Sequence, residues 1–351
     1  MPPRKNENAL AVSDARVGWS AWQRLAGWAP SATVLAETLD GGQAFRWRQD
    51  ADGAWTGAWA DCVAQLRLAP AVASDTAAGV ALEWRAPAAI AARVEAALPR
   101  YLGAEHDWAA LADALPWRSD VHLAQCASVF RGLRLLRQPF GETLLGFLCS
   151  ATKQIVQIKQ MVALLAERHG AEIARAEEEE WRDELPRGRG AVRTAASQVL
   201  GCPVVGEVSK RWRGFRRLPT WAELAAIPES ELRACLLGFR ARYIAETAQF
   251  LAARPGWLDA TEAAPYPEAQ ARLMELPGVG EKVADCVLLF GAGKLEAFPV
   301  DTWILKSLAR RYGVDGWKPA QVAQFGRVHF GPLAGFAQQF LFAWERRHGG
   351  R

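Results

Sequence analysis

Near Pro87 the apolar pattern of this 351-residue chain changes from short strand-like runs to helical periods that continue to the end. Before that point, residues 33–39, 44–48, 55–60 and 62–68 are separated by Asp40-Gly41-Gly42 and Asp50-Ala51-Asp52-Gly53. Such turn residues accept tight reversals, so the four runs read as an antiparallel meander. Helical periods follow at 88–98, 108–115, 143–168, 229–253, 267–275, 281–291, 302–312 and 319–325. The fold class is therefore α+β, a small N-terminal antiparallel β-sheet domain packed on a larger α-helical domain. The expected division is 1–30 as a flexible tail and lead-in, 31–118 as the β-rich domain and 119–351 as the helical domain. Within the latter, 171–217 reads as a charged insertion. It holds the acidic run Glu177 to Glu180, the breaker-rich Pro186-Arg187-Gly188-Arg189-Gly190 and the basic cluster Lys210, Arg211, Arg213, Arg216 and Arg217.

Composition excludes several classes. Half the residues are hydrophobic and 23% are charged, as in ordinary soluble proteins, and no apolar run is long enough to span a bilayer. The formal charge of +4 permits an anionic partner without requiring one. The six cysteines form no Cys-x-x-Cys pair and no four-cysteine cluster, which argues against zinc and iron–sulfur sites. With no secretory signal recognised, they are expected to be free thiols in a reducing compartment. A reducing cytoplasm is the compartment this suggests.

Between two helical periods stands Leu276-Pro277-Gly278-Val279-Gly280-Glu281-Lys282. Leu273 and Leu276 before the turn, with Val279, Val283 and Val287 after it, provide apolar faces for a helix–hairpin–helix over 267–291. Its two glycines permit positive φ and close approach of another backbone. The amides that open the second helix lie at the positive end of its dipole, a ready phosphate site. A bare Gly-x-Gly would be no more than a capped turn, but the full string is specific. Lys282 falls in the first turn of that helix. A free lysine has a pKa of about 10.4, so only a small fraction is nucleophilic near neutral pH. A helix N-terminus and apolar surroundings both favour the neutral amine, and such lysines form Schiff bases. A phosphate-binding or solvent lysine is the plainer alternative. Cys286, four residues on, shares its face, whereas Asp285 reads as a surface partner. Asp301 follows the extended Phe298-Pro299-Val300 and is a natural N-cap for 302–312. A capping carboxylate at a cleft mouth is also held rigidly enough to stabilise a positive sugar and steer protons.

Further motifs occur in order along the chain. They are Gly42-Gln43-Ala44-Phe45-Arg46-Trp47, Phe130-Arg131-Gly132-Leu133-Arg134-Leu135-Leu136-Arg137-Gln138, Phe147-Leu148-Cys149-Ser150 and Leu237-Gly238-Phe239-Arg240-Ala241-Arg242-Tyr243. The hairpin through Cys286, Pro299-Val300-Asp301 and Gly335-Phe336-Ala337-Gln338 complete the set. With these, nearly the whole chain resembles the helix–hairpin–helix DNA glycosylases, and within them the 8-oxoguanine DNA glycosylase/AP lyase branch. The resemblance implies that a damaged purine is flipped from the duplex into a pocket between the two domains. Lys282 would attack the sugar C1′, expel the base and form a Schiff base that breaks the strand by β-elimination. Asp301 matches the catalytic carboxylate. Gly42 matches the carbonyl that reads the N7 hydrogen of 8-oxoguanine, a one-donor test that discriminates strongly. Gln338 matches the glutamine at the pairing edge, Phe342 and Cys286 the walls around the ring, and Phe239 the aromatic wedge. Gly278, Val279 and Gly280 would contact DNA. The implied partner is double-stranded DNA containing oxidised guanine. A monomer is implied, with no cofactor and no metal in the chemistry.

The chain also departs from that pattern. The family's asparagine run, which fills the vacated stack and holds the orphaned cytosine, is here Ala151-Thr152-Lys153-Gln154. Gln157 stands where an arginine reads the cytosine, although Arg240 remains, and Trp303 replaces a histidine. Thr152, Lys153, Gln157, Arg240 and Trp303 thus become candidate DNA contacts of altered chemistry. Two other readings compete: a sister glycosylase with another lesion preference, and a non-catalytic protein whose hairpin only grips phosphates.

Overall fold

The computed structural model describes residues 18–70, 80–174 and 214–349. Most of the charged insertion and the first part of the tail lie outside them. Strands β1 (Gln23–Leu25), β2 (Trp47–Gln49), β3 (Trp55–Trp59), β4 (Cys62–Pro70) and β5 (Val80–Arg85) form an antiparallel sheet in the order β1-β5-β4-β3-β2. The stretch from β2 to β5 is the meander. β1, which falls within the expected lead-in, adds an edge by pairing Gln23 with Trp84 and Leu25 with Leu82. The turn before β3 is closed by Asp50, whose Oδ1 accepts from the amides of Asp52 (3.1 Å) and Ala54 (2.8 Å).

One of the expected strands is a helix. Residues 33–39 belong to α1 (Ala32–Asp40), capped by Ser31 Oγ, which accepts from the Val34 amide at 3.2 Å. Its buried Val34, Leu35, Thr38 and Leu39 recur at the helical interval, so one face enters the core. α2 (Ala91–Tyr101) anchors the sheet through Tyr101. That ring stacks on Trp59, with centroids 4.3 Å apart, and its hydroxyl accepts from Trp47 Nε1 at 2.9 Å. Gly57 must lack a side chain here, since a Cβ would lie 2.2 Å from the Trp47 ring.

The helical body begins with α3 (Trp108–Ala114), α4 (Val121–Val129), α5 (Phe140–Leu148) and α6 (Ile155–His169). A short strand pair, β6 (Glu172–Ala174) and β7 (Phe215–Arg216), flanks the insertion. Then come α7 (Trp221–Ala225), α8 (Glu229–Leu232), α9 (Arg240–Ala252), α10 (Trp257–Ala263) and α11 (Tyr266–Leu273). They are followed by α12 (Glu281–Val287), α13 (Thr302–Tyr312), α14 (Pro319–Phe330) and α15 (Ala334–His348). Two expected helices are each broken in two. The period at 143–168 stops at Leu148 and resumes at Ile155. The period at 229–253 is interrupted by a wide turn over Arg233–Leu237, with Leu236 at φ +62 and Gly238 at φ +57. One hydrophobic core runs through sheet and helices, from Trp47 and Leu66 to Phe147, Phe336 and Phe340.

Candidate active site

The hairpin joins α11 to α12, and its two glycines have different work. Gly278 sits at φ +78, where a Cβ would lie 2.5 Å from the Tyr243 ring, so both conformation and contact require glycine. Gly280 is extended at φ −96, a conformation open to any residue, and nothing lies within 4 Å of a Cβ placed there. It therefore supplies open space at the helix N-terminus rather than a left-handed turn, contrary to expectation. Val279 is buried with Leu276, Val283 and Val287.

Asp285 is fully buried and is no surface partner. Its Oδ1 accepts from Tyr266 Oη (2.8 Å) and Gln270 Nε2 (2.6 Å), while Arg327 Nη1 stands 3.7 Å from Oδ2. Arg327 also reaches Glu281 at 3.5 Å, so α11, α12 and α14 are tied behind the reactive face. Burial raises the Asp285 pKa to about 6 against the pull of these partners.

On the front face, Lys282 Nζ donates to Ser150 Oγ at 3.1 Å, and Ser150 Oγ donates to the Phe147 carbonyl at 2.7 Å. The Phe147 ring centre lies 5.3 Å from the amine. Ser150 occupies the break between α5 and α6, and the sequence had marked it only as part of a motif, with no role. Cys286 lies within electrostatic reach of both Lys282 and Asp301. Burial pushes its thiol up to about 12, so it stays neutral. Asp301 caps α13 as expected, with Oδ1 accepting from the amides of Trp303 (3.0 Å) and Ile304 (2.8 Å). Both bonds end on one oxygen. Burial raises the Asp301 carboxyl above its ordinary value, while the Ile304 amide and Lys282 pull the other way.

Gln338 and Phe342 lie one turn apart on α15. Gln338 is buried; it donates to the Pro299 carbonyl at 3.0 Å, two residues before Asp301, and accepts from Gln339 at 2.6 Å. Gly42 is at φ +107, and a Cβ there would touch Ile155 Cδ1 at 3.2 Å and the Phe342 ring at 3.5 Å. The neighbouring Gln43 fixes this loop. Its carbonyl accepts from Gln138 Nε2 (2.7 Å), and its side chain pairs with the Arg134 carbonyl (2.9 Å) and the Leu136 amide (3.0 Å). Gly42 thus stands beside Phe342, Gln338 bonds the segment that leads to Asp301, and Cys286 lies within the electrostatic reach of Lys282 and Asp301.

Comparison with known proteins places the chain in a family. Residues 29–144 match the model of the 8-oxoguanine DNA glycosylase N-terminal domain, and residues 192–329 match that of the HhH-GPD superfamily of base excision DNA repair proteins. The chain is 29% identical over 324 residues to an N-glycosylase/DNA lyase of Arabidopsis thaliana, covering 89% of this chain and 77% of that one. It is 39% identical over 120 residues to a probable N-glycosylase/DNA lyase of Methanothermobacter thermautotrophicus, covering 34% of this chain and 38% of the relative. The structure superposes with a TM-score of 0.69 on the apo-form 8-oxoguanine glycosylase/lyase of Clostridium acetobutylicum, at 25% identity over 88% of this chain and 92% of that one. The chain belongs to the 8-oxoguanine glycosylase branch of the helix–hairpin–helix DNA glycosylases.

Of the other expected DNA contacts of this glycosylase, Phe239 is 50% exposed and Trp303 is 39% exposed, and Lys153 is also in the open. Gln157 is engaged locally, its side-chain oxygen accepting from the Gln154 amide at 3.2 Å. Arg240 is not at the surface. It is 2% exposed, donates to the carbonyls of Leu237 (3.2 Å) and Ala151 and to Thr152 Oγ1 (3.1 Å), and lies 4.3 Å from the Phe239 ring centre. In this structure Arg240 is an internal clamp: three acceptors from two turns engage its terminal nitrogens, while its buried Nε has no partner.

Proposed function

We propose that this protein is a bifunctional DNA glycosylase and AP lyase of base excision repair, which flips 8-oxoguanine out of double-stranded DNA and excises it. The observation that carries this reading is Lys282, whose amine bonds Ser150 and lies within electrostatic reach of Cys286 and Asp301. Ser150 takes one N–H of the amine and commits its own proton to Phe147, so a lone pair exposed when Lys282 gives up a proton has no donor to tie it up at Ser150. That lone pair attacks C1′ while the glycosidic bond breaks, and the base leaves with one of the protons that the new ammonium sheds. The remaining N–H proton passes to O4′ as the C1′–O4′ bond breaks, giving an imine. Protonated, that imine takes the electron pair left when a C2′ proton is removed to water, and the C3′–O bond then breaks to expel the 3′-phosphate. Asp301, fixed by two amides, supplies negative charge beside the cationic sugar.

Recognition falls to the other expected pocket residues. The Gly42 carbonyl, steadied through Gln43, accepts the N7 hydrogen that 8-oxoguanine carries and guanine lacks. Gln338 meets the pairing edge, and the neutral Cys286 thiol and the Phe342 ring cover the two faces of the base. The amides of the hairpin, with free space at Gly280, receive a phosphate. The enzyme acts as a monomer on chromosomal DNA, in the bacterial cytoplasm or the eukaryotic nucleus. Borohydride reduction during reaction with a duplex holding 8-oxoguanine opposite cytosine tests this. Wild type is expected to give a covalent adduct and Lys282→Gln none. Wild type without adduct, or an undiminished adduct with Lys282→Gln, sinks the mechanism.

A further inference from the structure

We infer that Leu236 is a second wedge residue, which enters the base stack beside Phe239 when a nucleotide is flipped; this rests on the reading of the protein as a base-flipping glycosylase. Leu236 is one of three non-glycine residues at positive φ among the described residues, at φ +62 and ψ 16. A side chain in that region crowds its own backbone, and glycine would relieve it. The leucine is also 53% exposed, so it gains little from burial. It is therefore unfavourable to the fold on two independent counts. Such residues gather at functional sites, where surroundings hold them in place.

What holds it is visible. Arg240 donates to the Leu237 carbonyl and, with its other terminal nitrogen, to Ala151 O and Thr152 Oγ1. Thr152 is itself at φ +54. One buried arginine thus fixes two unusual turns side by side, the α5–α6 turn and the α8–α9 turn. Phe239 leans edge-on against Tyr243 with centroids 5.9 Å apart, and Tyr243 backs Gly278 of the hairpin. Leu236 and Phe239 therefore project from a braced platform between the hairpin and the Thr152 turn. A flipped base leaves a gap, and apolar side chains inserted between base steps are a common way to fill one. The Thr152 turn offers a methyl group at Ala151, a threonine already bonded to Arg240 and the flexible cation Lys153. Leu236 offers the apolar bulk that these lack.

The test uses the full chain and begins with the wild-type borohydride adduct; a wild type that traps nothing overturns both readings before any variant is made. Leu236→Gly, Leu236→Asn and Leu236→Met are then compared by thermal melting, by fluorescence of 2-aminopurine next to the lesion and by single-turnover excision. Gly and Asn both accept the left-handed backbone, so these variants should melt no lower than wild type. They are expected to flip and excise roughly tenfold more slowly, with Leu236→Met restoring most of the rate. Wild-type flipping and excision in the Gly and Asn variants would overturn the inference. An equal loss in all three, Met included, would also overturn it, because it would trace the defect to the turn rather than to apolar bulk.

Discussion

In the proposed mechanism Asp301 does two things with one side chain, and a single substitution separates them. Asparagine caps helices about as well as aspartate. Asp301→Asn should therefore keep the amide bonds to Trp303 and Ile304 and change melting by no more than a few degrees, a loss of ~0.5 kcal/mol or less. Excision should fall by about 10²-fold or more, as when a charge-stabilising group is removed from a transition state. Thermal melts beside single-turnover kinetics check the pair; a large loss of melting temperature with retained excision would make Asp301 a cap alone. Because burial raises its carboxyl, Asp301 takes up a proton sooner than an exposed aspartate as pH falls. The active carboxylate is lost on the acid side, so kcat/KM should decline at a pH above the ordinary aspartate value of about 4. A pH–rate profile shows where that limb lies.

The hairpin gives the sharpest contrast among elements. Gly278→Ala places a methyl group against Tyr243 at positive φ and should destabilise the fold by roughly 2–3 kcal/mol. Gly280→Ala meets nothing within the protein and should melt like wild type, yet bind duplex DNA about tenfold more weakly if a phosphate approaches there. Melting curves and binding titrations on both variants decide it. Behind the hairpin, the folded pKa of Asp285 is raised to about 6 while its unfolded value stays near 4, so the folded state holds the extra proton between them. Its contribution is most favourable at low pH and is lost as pH rises through 6. Between pH 4.5 and 7, Asp285→Asn should gain about 2 kcal/mol on wild type, read by urea denaturation at both values.

The fate of the elements shows what sequence patterns carry. The hairpin, β3, β4 and the α13 period with its Asp301 cap depend on neighbours a few residues away, and the local pattern shows them. α1 reads as a strand because Thr33, Val34 and Thr38 favour extended backbone, whereas its buried face and the Ser31 cap decide for helix. The break at Cys149–Gln154 contains no glycine or proline. It is fixed by partners far along the chain, Arg240 on Ala151 and Thr152, and Lys282 on Ser150. No window of local sequence contains that information. Asp285 was misplaced for the same reason, since Tyr266, Gln270 and Arg327 surround it from two other helices.

For the whole molecule, the cleft depends on how the sheet-bearing part meets the helical body. Gln43 makes three bonds across that junction while Gly42 stands against Phe342. Gln43→Ala leaves Arg134 O and Leu136 N without partners inside the protein, at a cost of about 1–3 kcal/mol each. The more telling effect should be on choice: with the Gly42 carbonyl loosened, the ratio of 8-oxoguanine to guanine excision should fall by roughly tenfold. Competing-substrate kinetics measures it, and an unchanged ratio in a destabilised variant would show that Gln43 serves the fold only.

The pocket wall on α15 meets α1, near the other end of the described chain, where Arg346 pairs with Glu37 across 309 residues at 2.8 Å. In the order of synthesis Lys282 and Asp301 therefore precede the helix that bears Gln338 and Phe342. Phe336 and Phe340 of that helix are fully buried, so until it docks the helical core stands open. A nascent or C-terminally clipped chain would carry the reactive amine without a formed cleft to use it. Under the proposed mechanism, strand-breaking chemistry would thus mature only together with the surface that inspects the base.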